Sequence, residues 1–194
     1  MQKGQYFEAI LRSPKTVFTL RDIVLLWGET SAGSVRVRLN QYVRRGKLCR
    51  LRKGFYVKDK NYNKLEFAAR LYPPAYVSFE TILARAGLIF QFHAQISAAS
   101  YLTREVEVDG QVYSFRKIKM PILTNPIGVV NENETSFATT ERAFLDTFYI
   151  HGDYHFDHLN GLDWNKVLDM LPIYQNQSME KRVHRLYKQV TQNG

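Results

Sequence analysis

The sequence predicts an α+β fold in two modules: a winged helix-turn-helix over residues 1–60 and an α+β domain over residues 64–194, with antiparallel hairpins between helices. The first third of the chain shows three helical patterns followed by a hairpin pattern. The remainder mixes helical segments with two hairpin signals. The excess of basic charge lies entirely in the first module: residues 1–60 hold 14 Lys or Arg and 4 Asp or Glu, whereas residues 61–194 hold 13 and 14. The second module is therefore expected to bind polyanions poorly.

Two helices are predicted at the start of the first module. Tyr6, Ile10 and Leu11 have helical spacing, and Pro14 ends that segment. Thr19 suits the N-cap of a second helix, which Gly28 can close. A short polar turn follows at residues 30–33.

The third helix begins the most strongly charged part of the chain. From Ser34 to Val57 there are eight Lys or Arg residues and no Asp or Glu. Such one-signed charge weakens a fold by self-repulsion, so it indicates an anionic partner. Apolar residues at i, i+4, i+7 and i+8 predict one buried stripe on the helix, formed by Val35, Leu39, Tyr42 and Val43.

A basic hairpin is predicted after the third helix. Gly46 suits the left-handed residue that ends a helix, and residues 47–58 read as two short strands around a Lys53-Gly54 turn. Alternation in the first strand predicts two cations on one face and two less polar residues on the other: Arg50 and Arg52 against Cys49 and Leu51.

Three helices and a basic hairpin are typical of a winged helix-turn-helix, whose third helix enters the major groove of double-stranded DNA. Cations neutralise phosphates, while Gln41 is suited to adenine and Val37 to a thymine methyl group. A solvated charged face is the alternative. The predicted DNA-binding residues are Ser31, Ser34, Arg36, Val37, Arg38, Asn40, Gln41, Arg44, Arg45, Lys47, Arg50, Arg52 and Lys53.

The second module is predicted to follow a polar linker at residues 59–64. Pro73-Pro74 separates two helices, the second capped by Ser78 and closed by Gly87. Asp109-Gly110 is a strong hairpin signal, and a second hairpin is expected across Asn131–Glu134.

Three further helices are predicted towards the end of the chain. The first begins at Thr139 or Thr140, with Glu141 in its first turn, where a negative charge is favourable. The others cover Trp164–Leu171 and Ser178–Gln189.

Three short motifs follow one another along the chain: "KGFYV" at 53–57, "SFETILARAGLI" at 78–89 and "TTERAFLDTF" at 139–148. In their order and spacing the chain resembles the AbiEi-type antitoxins of bacterial type IV toxin–antitoxin systems, and the resemblance covers roughly residues 17–186. It implies an N-terminal domain that represses its own operon, with inverted repeats in the operator. It also implies a C-terminal domain that counters a nucleotidyltransferase-like toxin without forming a stable complex with it.

The motif at the start of the "TTERAFLDTF" helix is the candidate antitoxicity surface. It contains Glu141, Arg142 and Asp146, of which the last two form an i, i+4 pair. An exposed pair on this helix would be free to act in antitoxicity. The alternative is an ion pair that only holds the helix.

No catalytic, metal or cofactor site is expected. His151, His155 and His158 crowd together with two aspartates, but a glycine and aromatic residues among them favour an exposed loop. Cys49 lies among cations without a base beside it, which favours a small inward residue of the hairpin. There is no glycine-rich phosphate loop.

Two other functions remain open at the level of sequence. Residues 105–119 place carboxylates before lysines on predicted strands, so a nuclease is one alternative, and a ligand-sensing transcription factor is another. The single cysteine, the absence of a signal-like start and the absence of a long apolar segment favour a cytoplasmic protein without a membrane partner.

Overall fold

A computed structural model describes residues 5–91 and 93–192 and divides the chain into two compact units, Met1–Phe67 and Ala68–Gly194. Each unit contains helices and a β-sheet, so the predicted α+β class is confirmed. Within the described ranges, no helix has both the length and the hydrophobicity needed to cross a membrane.

The first unit contains three helices and a three-stranded sheet. Thr19 caps the second helix in a capping box with Asp22, and Gly28 ends it at φ 63°, as predicted. Gly46 also has positive φ after the third helix. In chain order the elements are α1 Gln5–Arg12, β1 Val17–Thr19, α2 Leu20–Trp27, α3 Ala32–Arg44, β2 Cys49–Arg52 and β3 Phe55–Val57.

Strand β1 was not expected from the sequence. It pairs antiparallel with β3, so the predicted hairpin becomes a sheet with the order β1-β3-β2. Three residues are too few to show alternation, and the strand runs directly into α2 through Thr19, which ends one element and caps the next.

Aromatic residues form the centre of the first unit's core. The Tyr6 and Trp27 ring centroids lie 5.0 Å apart, and the Trp27 indole donates to the Tyr6 carbonyl oxygen at 2.8 Å. The predicted stripe of α3 packs here: Val35, Leu39 and Tyr42 are buried, and Val43 is partly buried. Burying one face of α3 leaves its opposite face to solvent.

The first unit extends further along the chain than predicted. The Glu66 carboxylate accepts hydrogen bonds from the Thr16 amide at 2.9 Å and the Val17 amide at 3.3 Å, at the start of β1. The Phe67 ring lies 5.3 Å from that of Phe55. These contacts tie residues 66 and 67 to the first unit, so the boundary lies beyond the predicted limits of 60 and 64.

The second unit is a mixed sheet with helices. Helix α4 begins in the first unit and ends in the second. The elements are α4 Lys64–Leu71, β4 Ala75–Val77, α5 Glu80–Arg85, β5 Ile96–Ser100, β6 Arg104–Val108, β7 Gln111–Lys117, α6 Met120–Leu123, β8 Val129–Glu132, β9 Thr135–Ala138, α7 Thr140–Ile150, α8 Trp164–Met170, a 3₁₀ turn Leu171–Tyr174 and α9 Gln177–Gln192.

The six-stranded sheet has the order β6-β7-β5-β4-β9-β8. Both predicted hairpins are present, β6–β7 through Asp109-Gly110 and β8–β9 through Asn133-Glu134, and all four turn residues have positive φ. The sheet also contains parallel pairs, β5 with β7 and β4 with β9, which the prediction of antiparallel strands did not include. Strands β4 and β5 are mostly buried and show no alternation.

The predicted N-cap at Ser78 is wrong. Helix α5 starts at Glu80, and Phe79 occupies the cap position with φ 57° and no side-chain cap hydrogen bond. The Ser78 hydroxyl instead donates to the Asp146 carboxylate at 2.8 Å. The Ser78 hydroxyl therefore bonds to Asp146 on α7 and not to a backbone amide at the start of α5.

Candidate nucleic-acid interface

Helix α3 presents most of its predicted DNA-binding residues to solvent. Ser31 caps the helix by accepting from the Ser34 amide, and the Ser34 hydroxyl donates back to the Ser31 carbonyl at 2.9 Å. Val37 is 58% exposed although it is aliphatic. The exposed members of the predicted set are Ser31, Ser34, Arg36, Val37, Asn40, Gln41, Arg44, Arg45, Lys47, Arg50 and Lys53.

A cleft of about 610 Å³ opens beside the outward face of α3. Its aromatic end is formed by Phe7 and Tyr42, whose ring centroids are 5.3 Å apart, and the Lys47 ammonium lies 5.2 Å from the Phe7 ring centroid. Phe7 was not among the predicted site residues; its position beside the apolar stripe of α1 was the available signal. The full lining is Phe7, Ser34, Val37, Arg38, Gln41, Tyr42, Arg45 and Lys47.

The exposed cations of this face have no ionic partner among the residues that the structure describes. Two cations elsewhere in the first unit are paired: Arg12 lies 2.6 Å from Glu8, and Lys15 lies 2.8 Å from Asp22. The unpaired set therefore produces a positive potential that the unit itself does not neutralise. It consists of Arg36, Arg44, Arg45, Lys47, Arg50 and Lys53.

Arg38 differs from the other cations of α3 because its side chain packs inward. Its guanidinium lies 3.5 Å from the centroid of the Tyr6 ring and 3.5 Å from the Glu29 carboxylate. The Tyr6 hydroxyl also donates to Glu29, at 2.6 Å. This hydrogen bond, together with the Arg38 charge, lowers the pKa of Glu29 below its ordinary value. Arg38, one of the predicted DNA-binding residues, thus connects α3 to α1 and to the turn before α3.

Arg50 and Arg52 do not share one face of β2. Arg50 pairs with Tyr56 and Arg52 with Phe55, with a register shift between the two pairs. Adjacent residues of a strand point to opposite faces, and cross-strand partners share a face, so the bulge separates the two arginines. Arg50 is exposed, whereas Arg52 is partly buried and its Nη1 has no hydrogen-bond partner in the described part of the chain. Cys49, at the start of the same strand, is a partly buried free thiol.

The predicted antitoxicity surface around Glu141, Arg142 and Asp146 is wrong as a surface. The Arg142 and Asp146 side chains are fully buried, and Glu141 is buried as well. Every residue of α7 from Glu141 to Phe148 is buried, because the helix packs against α5, α8 and β9. A helix enclosed on all sides has no outward face for charged residues.

Buried polar groups surround the Arg142–Asp146 pair completely. The Arg142 Nε donates to Asp146 at 3.2 Å, and its two terminal nitrogens donate to the Ile122 and Ile127 carbonyls at 2.7 Å each. The nitrogen that donates to Ile122, Nη2, also donates to the Tyr76 hydroxyl, at 3.0 Å. Asp146 accepts from three hydroxyls, those of Tyr76, Ser78 and Tyr174, at 2.9, 2.8 and 2.6 Å.

Burial also shifts the proton equilibria of this cluster. It raises the pKa values of Tyr76 and Tyr174 well above their ordinary value, with Asp146 adding to the effect, so both hydroxyls remain protonated donors. Burial alone would lower the pKa of Arg142, but Tyr174, Asp146 and Tyr76 outweigh it and raise that pKa. The cluster is a satisfied ionic core that joins α7 to β4 and the 3₁₀ turn.

The histidine-rich segment lies at the end of α7 and in the turns after it. His151 is the C-cap residue directly after the helix, and the exposed His155 lies 3.9 Å from Asp157. Burial, followed by the nearby Arg116, lowers the pKa of His151. Within the described ranges, no three His, Cys, Asp or Glu side chains converge as metal ligands would.

Comparison with known proteins finds no protein-family model and no curated protein that matches this chain.

Proposed function

We propose that the chain is a DNA-binding antitoxin and transcriptional autorepressor of the AbiEi type, and that its first unit is a winged helix-turn-helix. The observation that carries the proposal is the exposed, unpaired basic face of α3, the following turn and β2. The element order α1-β1-α2-α3-β2-β3 and the sheet order β1-β3-β2 support the winged-helix assignment. The antitoxin part rests on the resemblance of the sequence motifs.

In this proposal α3 lies in the major groove, with its cleft towards the base edges. Gln41 can form two hydrogen bonds with an adenine, and Val37 can contact a thymine methyl group. Arg44 and Arg45 neutralise phosphates at the groove edge, and Arg50 and Lys53 on the hairpin follow the backbone. Arg38 contributes indirectly, by fixing α3 against α1.

The second unit is proposed to counter the toxin through a surface outside the Arg142–Asp146 cluster. Since that pair is sealed inside the unit, its role is to hold α7 in place. A variant that breaks the pair therefore affects antitoxicity through folding, and an exposed residue must make any functional contact.

The first test is the salt dependence of DNA binding by the full chain. Affinity for duplex DNA should fall linearly in a plot of log K against log salt concentration, because each neutralised phosphate releases counterions. Arg45→Ala should reduce the slope by about 1, as expected for one lost phosphate contact. Arg12→Ala is the matched control, since Arg12 is paired with Glu8. Equal slopes for the two variants would contradict the proposed face.

The second test separates base contacts from phosphate contacts. A preferred sequence is first selected from a pool of random duplexes by binding to the wild-type chain. Gln41→Ala should weaken binding to that sequence by roughly 1–3 kcal/mol, the value of a good base contact, and leave binding to random DNA unchanged. Arg45→Ala should weaken both. If Gln41→Ala weakens both equally, α3 does not present Gln41 to the bases.

A further inference from the structure

Helix α9, Gln177–Gln192, is attached to the second unit by one narrow face. Met179 and Val183 are fully buried. Arg182 belongs to this side, since its guanidinium lies 5.4 Å from the ring centroid of Phe148 on α7.

A different face of α9 carries a row of exposed basic residues. Lys181, His184, Arg185 and Lys188 are exposed and have the spacing i, i+3, i+4 and i+7, which places them on one side of the helix. We call this row the α9 stripe. Glu180 is the only acidic residue of α9, and no described residue forms an ion pair with the stripe.

The α9 stripe is unfavourable for the isolated helix. Lys181 and Arg185 are four residues apart, and Arg185 and Lys188 are three apart, spacings at which like charges destabilise a helix. No described carboxylate lies within ion-pair distance of these cations. A row of this kind indicates a partner with complementary negative charge.

Nucleic acid fits the α9 stripe better than a membrane surface. An amphipathic helix that binds membranes inserts its apolar side among the lipids, but the apolar residues Met179 and Val183 are already buried in the unit. The other apolar residues of the helix, Leu186, Tyr187 and Val190, are partly buried, and its exposed residues are all charged or polar. From Lys181 to Lys188 the stripe extends about 10 Å along the helix axis, roughly the axial length of three phosphates on one DNA strand.

We propose that the α9 stripe is a second contact for the phosphate backbone of duplex DNA. The inference rests on the proposed function of the first unit, since a chain already bound to DNA presents its second contact at high effective concentration. It revises the expectation from charge counts that residues 61–194, with 13 cations and 14 acidic residues, would not bind a polyanion.

The test measures binding of the full chain to a mixed-sequence duplex several helical turns long, across a series of salt concentrations. The stripe variant combines Lys181→Gln, Arg185→Gln and Lys188→Gln. The matched control combines Arg85→Gln, Lys117→Gln and Lys119→Gln, which removes the same charge from exposed positions of the same unit. A third protein, Arg44→Gln with Arg45→Gln, tests the first unit.

The stripe variant should reduce the slope of log K against log salt by about 2–3, at about 0.9 per phosphate, and the control should leave it unchanged. Lys181→Arg with Lys188→Arg should retain the wild-type slope, because the positive charges are kept, and the stripe variant should unfold at the same temperature as the control. The inference is overturned if the stripe variant and the control have the same slope for DNA. It is also overturned if the stripe variant loses binding only to vesicles that contain phosphatidylserine. The proposed function fails separately, if Arg44→Gln with Arg45→Gln binds DNA like the wild type.

Discussion

Arg142→Met is expected to lower the free energy of unfolding of the second unit by about 3–5 kcal/mol, because it leaves the Asp146 carboxylate buried without its cation. The methionine retains much of the arginine's length, so the loss comes chiefly from charge and hydrogen bonds. Asp146 would keep three hydroxyl donors, and the Ile122 carbonyl would keep the Asn125 amide, but the Ile127 carbonyl would lose the Arg142 donor. The measurement is urea unfolding followed by a signal from the second unit.

Arg12→Ala provides the control for this experiment. Arg12 and Glu8 are also an Arg–carboxylate pair four residues apart on a helix, but their side chains are 79% and 52% exposed. Breaking such a pair costs only about 0.3–0.5 kcal/mol. A similarly small loss in Arg142→Met would mean that water reaches the Asp146 carboxylate.

The contrast between these two pairs shows why the sequence could not identify the buried one. Both have an arginine and a carboxylate at i, i+4 spacing, and that pattern carries no information about burial. Burial depends on Tyr76 and Tyr174, which meet Asp146 from distant parts of the chain. The apolar residues throughout α7, among them Phe144, Leu145 and Phe148, were the sequence signal of burial.

Local signals were predicted well because each depends on a few neighbouring residues. The Thr19 cap, the Gly28 end of α2 and the Asp109-Gly110 turn are examples. Strands β1, β4 and β5 were missed because three to five residues without alternation acquire strand structure only from their partners.

The interface could be predicted in outline but not in its details. Exposure of most basic residues followed from the buried stripe of α3. The bulge that separates Arg50 from Arg52, and the ring of Tyr6 that holds Arg38, depend on pairing and packing between elements. The α9 stripe is not apparent from the net charge of residues 61–194, because acidic residues elsewhere in that range cancel its charge in the sum.

Leu39→Ala is expected to destabilise the first unit by about 2–5 kcal/mol, the cost of a large-to-small change in a packed core. Leu39 is fully buried in α3, and its side chain belongs to the cluster around Tyr6 and Trp27. Alanine favours the helix itself, so the loss must come from packing. Thermal or urea unfolding, followed by the fluorescence of Trp27 against a Trp164→Phe background, measures it.

Val37→Ala, two residues earlier on the same helix, should have the opposite profile. Its side chain is 58% exposed, so stability should change by no more than about 0.5 kcal/mol. If Val37 contacts a thymine methyl group, the variant should lose preference for the selected DNA sequence, and replacing the thymines of that sequence with uracil should weaken the wild type but not the variant. Leu39→Ala, assayed while still folded, should retain that preference. A loss of stability in Val37→Ala comparable to that in Leu39→Ala would show that α3 does not present Val37 outward. The assignment of this side of α3 as the one that contacts the bases would then be wrong.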